Sequence, residues 1–140
     1  MSNFLDDLIA TYREHLPKGI HLEAQVPEKL PNVRMDAQKI RGALMNIIEN
    51  GLQAMNGQGK ITVDAGLEDN YVRIAIKDNG QGIPPEILPR LFEPYFSTKA
   101  GGTGLGLAIA RKSIEDHGGR IHVESERNQG TSVTVFLPIA

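Results

Sequence analysis

The sequence predicts an α+β fold: a two-layer α/β sandwich with helices packed on one face of a mixed, mostly antiparallel sheet. Three observations predict it. Apolar residues recur at helical spacing in three segments, near residues 3–16, 37–55 and 104–117. Two pairs of segments alternate apolar and polar residues around short turn signals, 61–67 with 71–77 and 120–125 with 131–137. Between these pairs, residues 78–103 are rich in Gly, Pro and polar side chains, with one helical turn expected near 85–91. A loop this long inside a compact domain is usually functional.

The first helix carries Phe4, Leu5, Leu8, Ile9, Tyr12 and Leu16 on one stripe and ends at Pro17 to Gly19. A short strand is expected over His21–Val26. Prolines 27 and 31 bracket a loop, and Val33–Met35 reads as a very short edge strand. Asp36 is a good N-cap for the second helix, whose Ile40, Ala43, Leu44, Ile47, Ile48, Leu52 and Met55 follow the helical repeat. Asn56 and Gly57 stop it. Glu68 to Asn70 make the first hairpin turn and Asn128 to Gly130 the second. The third helix opens near Gly104, shows Leu107, Ala110 and Ile114 on one face, and ends at His117-Gly118-Gly119.

At 140 residues the chain is expected to be one domain, 1–140, large enough to bury a core without staples. It has no cysteine, so disulfides and thiolate metal sites are excluded. A formal net charge of −2 supplies no broad basic field, and nucleic acid is not an expected partner. No apolar run approaches the roughly 20 residues of a membrane span, and the N-terminus lacks a signal-peptide pattern. The expectation is a cytoplasmic domain, monomeric in isolation, without direct membrane contact.

Four short motifs carry the chemistry. In the second helix Asn46, Asn50 and Gln53 share one flank of the apolar stripe. Carboxamide oxygens there are either a solvated polar edge or hard, neutral ligands of the kind Mg²⁺ accepts beside water and phosphate. Asp78 continues the inward phase of Val72, Ile74 and Ile76, which aims a carboxylate into the layer between sheet and helices. It is either an ordinary Asp-Asn-Gly turn or an acceptor for a base amino group, with Gly80 and Gly82 allowing a flat ring to approach. Thr131 shares the phase of Val133, Val135 and Leu137, so its hydroxyl faces inward too, as a plain strand residue or as a base contact.

Gly102, Thr103, Gly104, Leu105 and Gly106 lead into the third helix, where exposed N–H groups and the helix dipole favour phosphate. Lys99 just upstream could add a point charge. A dinucleotide fingerprint requires a strand immediately before its glycines. Here a polar loop precedes them. The histidines His15, His21, His117 and His122 lack metal-ligand spacing and read as structural.

Taken in order, these motifs resemble the Bergerat ATP-binding fold of the GHKL superfamily, shared by sensor histidine kinases, type II topoisomerases, MutL proteins and heat-shock chaperones. Leu91 to Phe96 looks like the F box of the histidine kinases. Phe96 to Lys99, followed by Gly101 to Leu107, is similar to the nitrogen-regulatory NtrB and NtrY kinases.

The resemblance implies ATP and Mg²⁺ as cofactors. Asn50 would be the main metal ligand, with Asn46 assisting. Asp78 would bind the adenine amino group, Gly80, Gly82 and Ile83 would frame the base, and Thr131 would close the site. Gly102 to Gly106 and Lys99 would hold phosphate, and residues 92–103 would form a lid. Asn50 and Lys99 would be the catalytic groups. The implied activity is a protein histidine kinase catalytic domain that donates the γ-phosphate to a histidine on a separate dimerisation and phosphoacceptor domain. A response regulator would follow through the parent kinase, whose membrane anchorage stays open.

In the family an acidic residue follows the accepting histidine. Here Leu16, Leu22, Gly118 and Val123 follow the four histidines, so the chain is expected to be a fragment of a longer kinase. Hydrolysing relatives carry a glutamate four residues before the metal asparagine, a possible general base. This chain has Asn46 there. An anti-sigma-type serine kinase or stand-alone ATPase, and a non-catalytic nucleotide-gated interaction module, are the alternatives. Many histidine kinases also place Lys or Arg where this chain has Gln53.

Overall fold

Five strands form one sheet in the order β1-β2-β3-β5-β4 in the computed structural model, which describes residues 1–93 and 106–140. The strands are β1 (Ile20–Gln25), β2 (Gly59–Glu68), β3 (Tyr71–Asp78), β4 (Arg120–Glu126) and β5 (Gly130–Pro138). β1 pairs parallel to β2, and the other three pairings are antiparallel. The sheet is therefore mixed and mostly antiparallel, as expected. Three helices cover one face: α1 (Ser2–Arg13), α2 (Ala37–Ala54) and α3 (Gly106–Asp116).

The core lies between these layers because each element hides the stripe its sequence offers. Leu5, Leu8 and Ile9 of α1, Ile40, Leu44, Ile47 and Ile48 of α2, and Leu107, Ala110 and Ile114 of α3 are all buried. They meet Ile61, Val63, Val72, Ile74, Val135 and Leu137 from the sheet. Each fully buried Leu or Ile stabilises the fold by about 1.5–3 kcal/mol relative to exposure. The opposite sheet face keeps polar and aromatic groups, among them Arg120 stacked over Phe136 at 4.4 Å from the ring centroid.

Local chemistry sets the element ends. The Asp36 carboxylate accepts from the Gln38 and Lys39 N–H groups at 3.1 and 3.2 Å and caps α2. His117 fastens the far end of α3 to that cap: Asp36 N–H donates to its Nε2 at 3.0 Å, while its Nδ1 lies 2.6 Å from Ser113 O. A carbonyl can only accept and a backbone N–H can only donate, so Nδ1 serves as the donor and Nε2 as the acceptor. This histidine is structural, as its position in the sequence suggested.

Two expectations differ from the structure. α1 stops at Arg13 rather than near Leu16, because Pro17 disfavours helical geometry at the residue before it. Val33–Met35 forms no strand. Its apolar side chains pack against the core, while nearby Asn32 O accepts a backbone bond from Ala140 N–H at 2.9 Å rather than a ladder.

Candidate functional site

The residues singled out in the sequence gather where the carboxyl end of β3 meets the start of β5 and the flank of α2. Asp78 and Thr131 stand directly opposite each other, and Thr131 is in turn opposite Ser125. Asp78, Thr131 and Ser125 thus form a row across three strands on the helix-facing side, since they share the phase of buried Ile76, Val133 and partly buried Val123. Thr131 is itself buried, with 7% of its surface exposed.

Asp78 uses Oδ1 to accept from Gly80 N–H at 2.9 Å, which turns the chain at the end of β3. Its Oδ2 is directed at α2: a Cβ added to Gly51 would lie 3.3 Å from it. Asp78 is therefore a turn residue whose carboxylate also points inward, as its strand phase predicted. Asn50 immediately precedes Gly51, one turn after Asn46 on the same helix. Asn46 in turn lies beside the start of α3, its Oδ1 3.8 Å from where a Cβ on Gly106 would stand. One flank of α2 thus links the Asp78 turn to the start of α3.

The loop after Asp78 is held on three sides. Asn79 Oδ1 accepts from Lys60 N–H at 2.8 Å, and Gln81 N–H donates to Ala54 O at 3.2 Å at the end of α2. From the β4–β5 turn, Asn128 N–H donates to Gln81 O, and Arg127 pairs with Glu86 at 3.2 Å. Ile83 N–H donates to Ser125 Oγ at 2.7 Å. Gly82 has φ of +73° and lies so close to the turn that a Cβ would sit 1.9 Å from Glu126 O. Gly130, at φ +120°, brings the start of β5 against Asp78 O, where a Cβ would be 2.0 Å away.

Lys99, Gly102, Thr103, Gly104 and Leu105, and most of the expected lid at 92–103, lie outside the described residues. Phe92 is described, and Arg111 of α3 stacks over its ring at 5.4 Å. The short helical turn expected near 85–91 is a single 3-10 turn at Leu88–Arg90. Ser125 was not singled out in the sequence. Its signal was available, because the hairpin turn at 128–130 puts it opposite Thr131.

The donor set suits a hard cation of limited appetite. Among the described residues no three His, Cys, Asp or Glu side chains cluster as a metal cage. Two carboxamides one turn apart, at Asn46 and Asn50, fit an ion that takes a few protein oxygens and completes its shell with phosphate and water. Glu49, between them, belongs to another contact: Tyr12 OH donates to its Oε1 at 3.1 Å. Burial first, then the charge of Glu49 and this hydrogen bond, push the Tyr12 phenol well above its ordinary value.

This architecture is that of the Bergerat ATP-binding fold found in histidine kinase catalytic domains. Residues 35–140 match the model of the histidine kinase-, DNA gyrase B- and HSP90-like ATPases, and the chain belongs to that family as a catalytic domain of the sensor histidine kinase type. It is 38% identical over 122 residues to the sensor histidine kinase ZraS of Escherichia coli (strain K12), covering 87% of this chain and 26% of ZraS. To the sensory histidine kinase/phosphatase NtrB of Vibrio alginolyticus it is 40% identical over 134 residues, covering 87% of this chain and 38% of NtrB. The chain thus spans well under half the length of these relatives. Among solved structures, the nucleotide-free catalytic domain of histidine kinase ThkA superposes with a TM-score of 0.84 at 32% identity, over 99% of this chain and 92% of that one. No helix among the described residues is long and apolar enough to cross a membrane.

Proposed function

We propose that residues 1–140 are the Mg-ATP-binding catalytic unit of a longer sensor kinase, donating the γ-phosphate to a histidine on a separate dimerisation and phosphoacceptor domain. The observation that carries this reading is the convergence of Asp78 and Thr131 in one cross-strand row with the flank of α2 that bears Asn46 beside the start of α3. Asp78 reads the adenine amino group, Gly80, Gly82 and Ile83 frame the ring, and Thr131 closes it. Asn50, assisted by Asn46, holds Mg²⁺, which when bound neutralises phosphate charge. The start of α3 at Gly106, with Gly102 to Leu105 and Lys99 before it, cradles the phosphates, and residues 92–103 close over them.

Catalysis here is positioning plus electrostatic stabilisation, since phosphoryl transfer asks little covalent chemistry of the protein. Hydrolysis by the chain alone is slow, because Asn46 stands where a general base would be needed and Glu49 is engaged with Tyr12. The response regulator acts downstream through the parent kinase; histidine kinase ThkA has been solved in complex with response regulator protein TrrA. In a longer chain that carries the acceptor domain, Asn50→Ala lowers autophosphorylation by about a hundredfold or more. Autophosphorylation at the normal rate in that variant contradicts the assignment.

A further inference from the structure

Ser125 Oγ has three polar neighbours: Ile83 N at 2.7 Å, Gly130 O at 3.0 Å and Thr131 Oγ1 at 2.8 Å. A hydroxyl has one proton to give and two lone pairs to receive with. The Ile83 N–H can only donate, so it takes one lone pair. Gly130 O can only accept, so it takes the proton. The remaining lone pair faces Thr131, which must then supply the proton of that bond. Thr131 is left with lone pairs alone to present toward Asp78, its cross-strand neighbour.

We propose that Ser125 is a positioning residue that fixes the Thr131 hydroxyl as an acceptor and so sets the base preference of the site for a 6-aminopurine over a 6-oxopurine. This rests on the reading of Asp78 and Thr131 as the base contacts. A 6-amino group brings two N–H donors to two acceptors, the Asp78 carboxylate and Thr131 Oγ1. A 6-keto oxygen brings a third acceptor to the same place, and an unmatched buried polar group is costly. A threonine free to rotate could instead donate its proton to that keto oxygen. Ser125 withholds this freedom, and through Ile83 it ties the same hydroxyl to the loop that frames the ring.

The test is calorimetric titration of the full chain with Mg-ATP and Mg-GTP, for wild type, Ser125→Ala, Thr131→Val and the double variant. Ser125→Ala should lower the ratio of ATP to GTP affinity by about tenfold, the effect of one hydrogen bond of about 1.4 kcal/mol. In the Thr131→Val background the same change should move that ratio by less than about twofold, since the group it acts through is gone. An equal loss of affinity for both nucleotides, an unchanged ratio, or the same ratio change in both backgrounds overturns the proposal. Where Ser125→Ala fails to show a folded thermal transition, Ser125→Cys, whose thiol is a weak donor and acceptor, carries the same comparison in the same direction. Wild-type protein that binds ATP selectively while Ser125→Ala leaves the ratio unchanged refutes the role of Ser125 alone. Wild-type protein without any ATP preference refutes the base-contact reading beneath it as well.

Discussion

Gly82→Ala should be the most damaging single-methyl change in the loop that follows β3. Gly82 has φ of +73°, and a Cβ there would stand 1.9 Å from Glu126 O. The left-handed conformation alone costs a residue with a side chain about 1–2 kcal/mol. The contact distance is less than two-thirds of an ordinary carbon–oxygen approach, so the β4–β5 turn must withdraw. Withdrawal gives up the Asn128 N–H bond to Gln81 O and the Ile83 N–H bond to Ser125 Oγ, each worth about 1 kcal/mol. The expected loss is about 3–4 kcal/mol in urea unfolding, with an unchanged m-value. Gly57→Ala is the internal control, because Gly57 has φ of +84° but nothing within 4 Å of an added Cβ. It should lose only the conformational part, about 1–2 kcal/mol. Equal losses for the two variants would refute the claim that the β4–β5 turn braces this loop.

Three further outcomes follow from other contacts. Tyr12→Phe removes the hydrogen bond to Glu49 and should cost about 1 kcal/mol at neutral pH. Because the folded phenol titrates above its ordinary value of 10.0, its contribution is fully present below that pH and is lost as pH rises beyond it. Wild-type stability, followed by circular dichroism, should therefore fall more steeply above about pH 10 than that of Tyr12→Phe, and parallel curves would contradict the assignment. Asp36→Ala deletes the cap of α2 and should lower stability by about 1 kcal/mol in chemical unfolding; no change would mean that the His117 contact alone holds this helix end. Ile114→Ala empties a fully buried position of α3 and should cost about 2–5 kcal/mol, visible as a lower urea midpoint, whereas a loss under about 1 kcal/mol would mean α3 is weakly docked.

Much of this was legible in the residues because strand phase is a strict constraint. Asp78 and Thr131 were placed inward by counting from Ile76 and Val133, and they prove to be directly opposed. The α2 stripe and the Asp36 cap were equally legible, since helical spacing and capping chemistry are local. What escaped was non-local. The alternation of Val33 and Met35 looks the same whether a segment joins a ladder or packs on the core without one, and only the second occurs. That β1 runs parallel to β2 depends on the crossover through α2 rather than on residues in either strand. Ser125 looked like any polar strand residue, because its meaning comes from Ile83, 42 positions away. The close seating of Gly51 on Asp78 likewise appears only once α2 lies on the sheet.

The most direct test of the whole account is calorimetric titration of the chain with ATP and GTP, with and without Mg²⁺, beside Asp78→Asn. The expected result is ATP-selective binding that Mg²⁺ strengthens and that Asp78→Asn abolishes in a protein that remains folded. Folded wild-type protein that binds no nucleotide, or an Asp78→Asn variant that binds ATP as well as wild type, would contradict it.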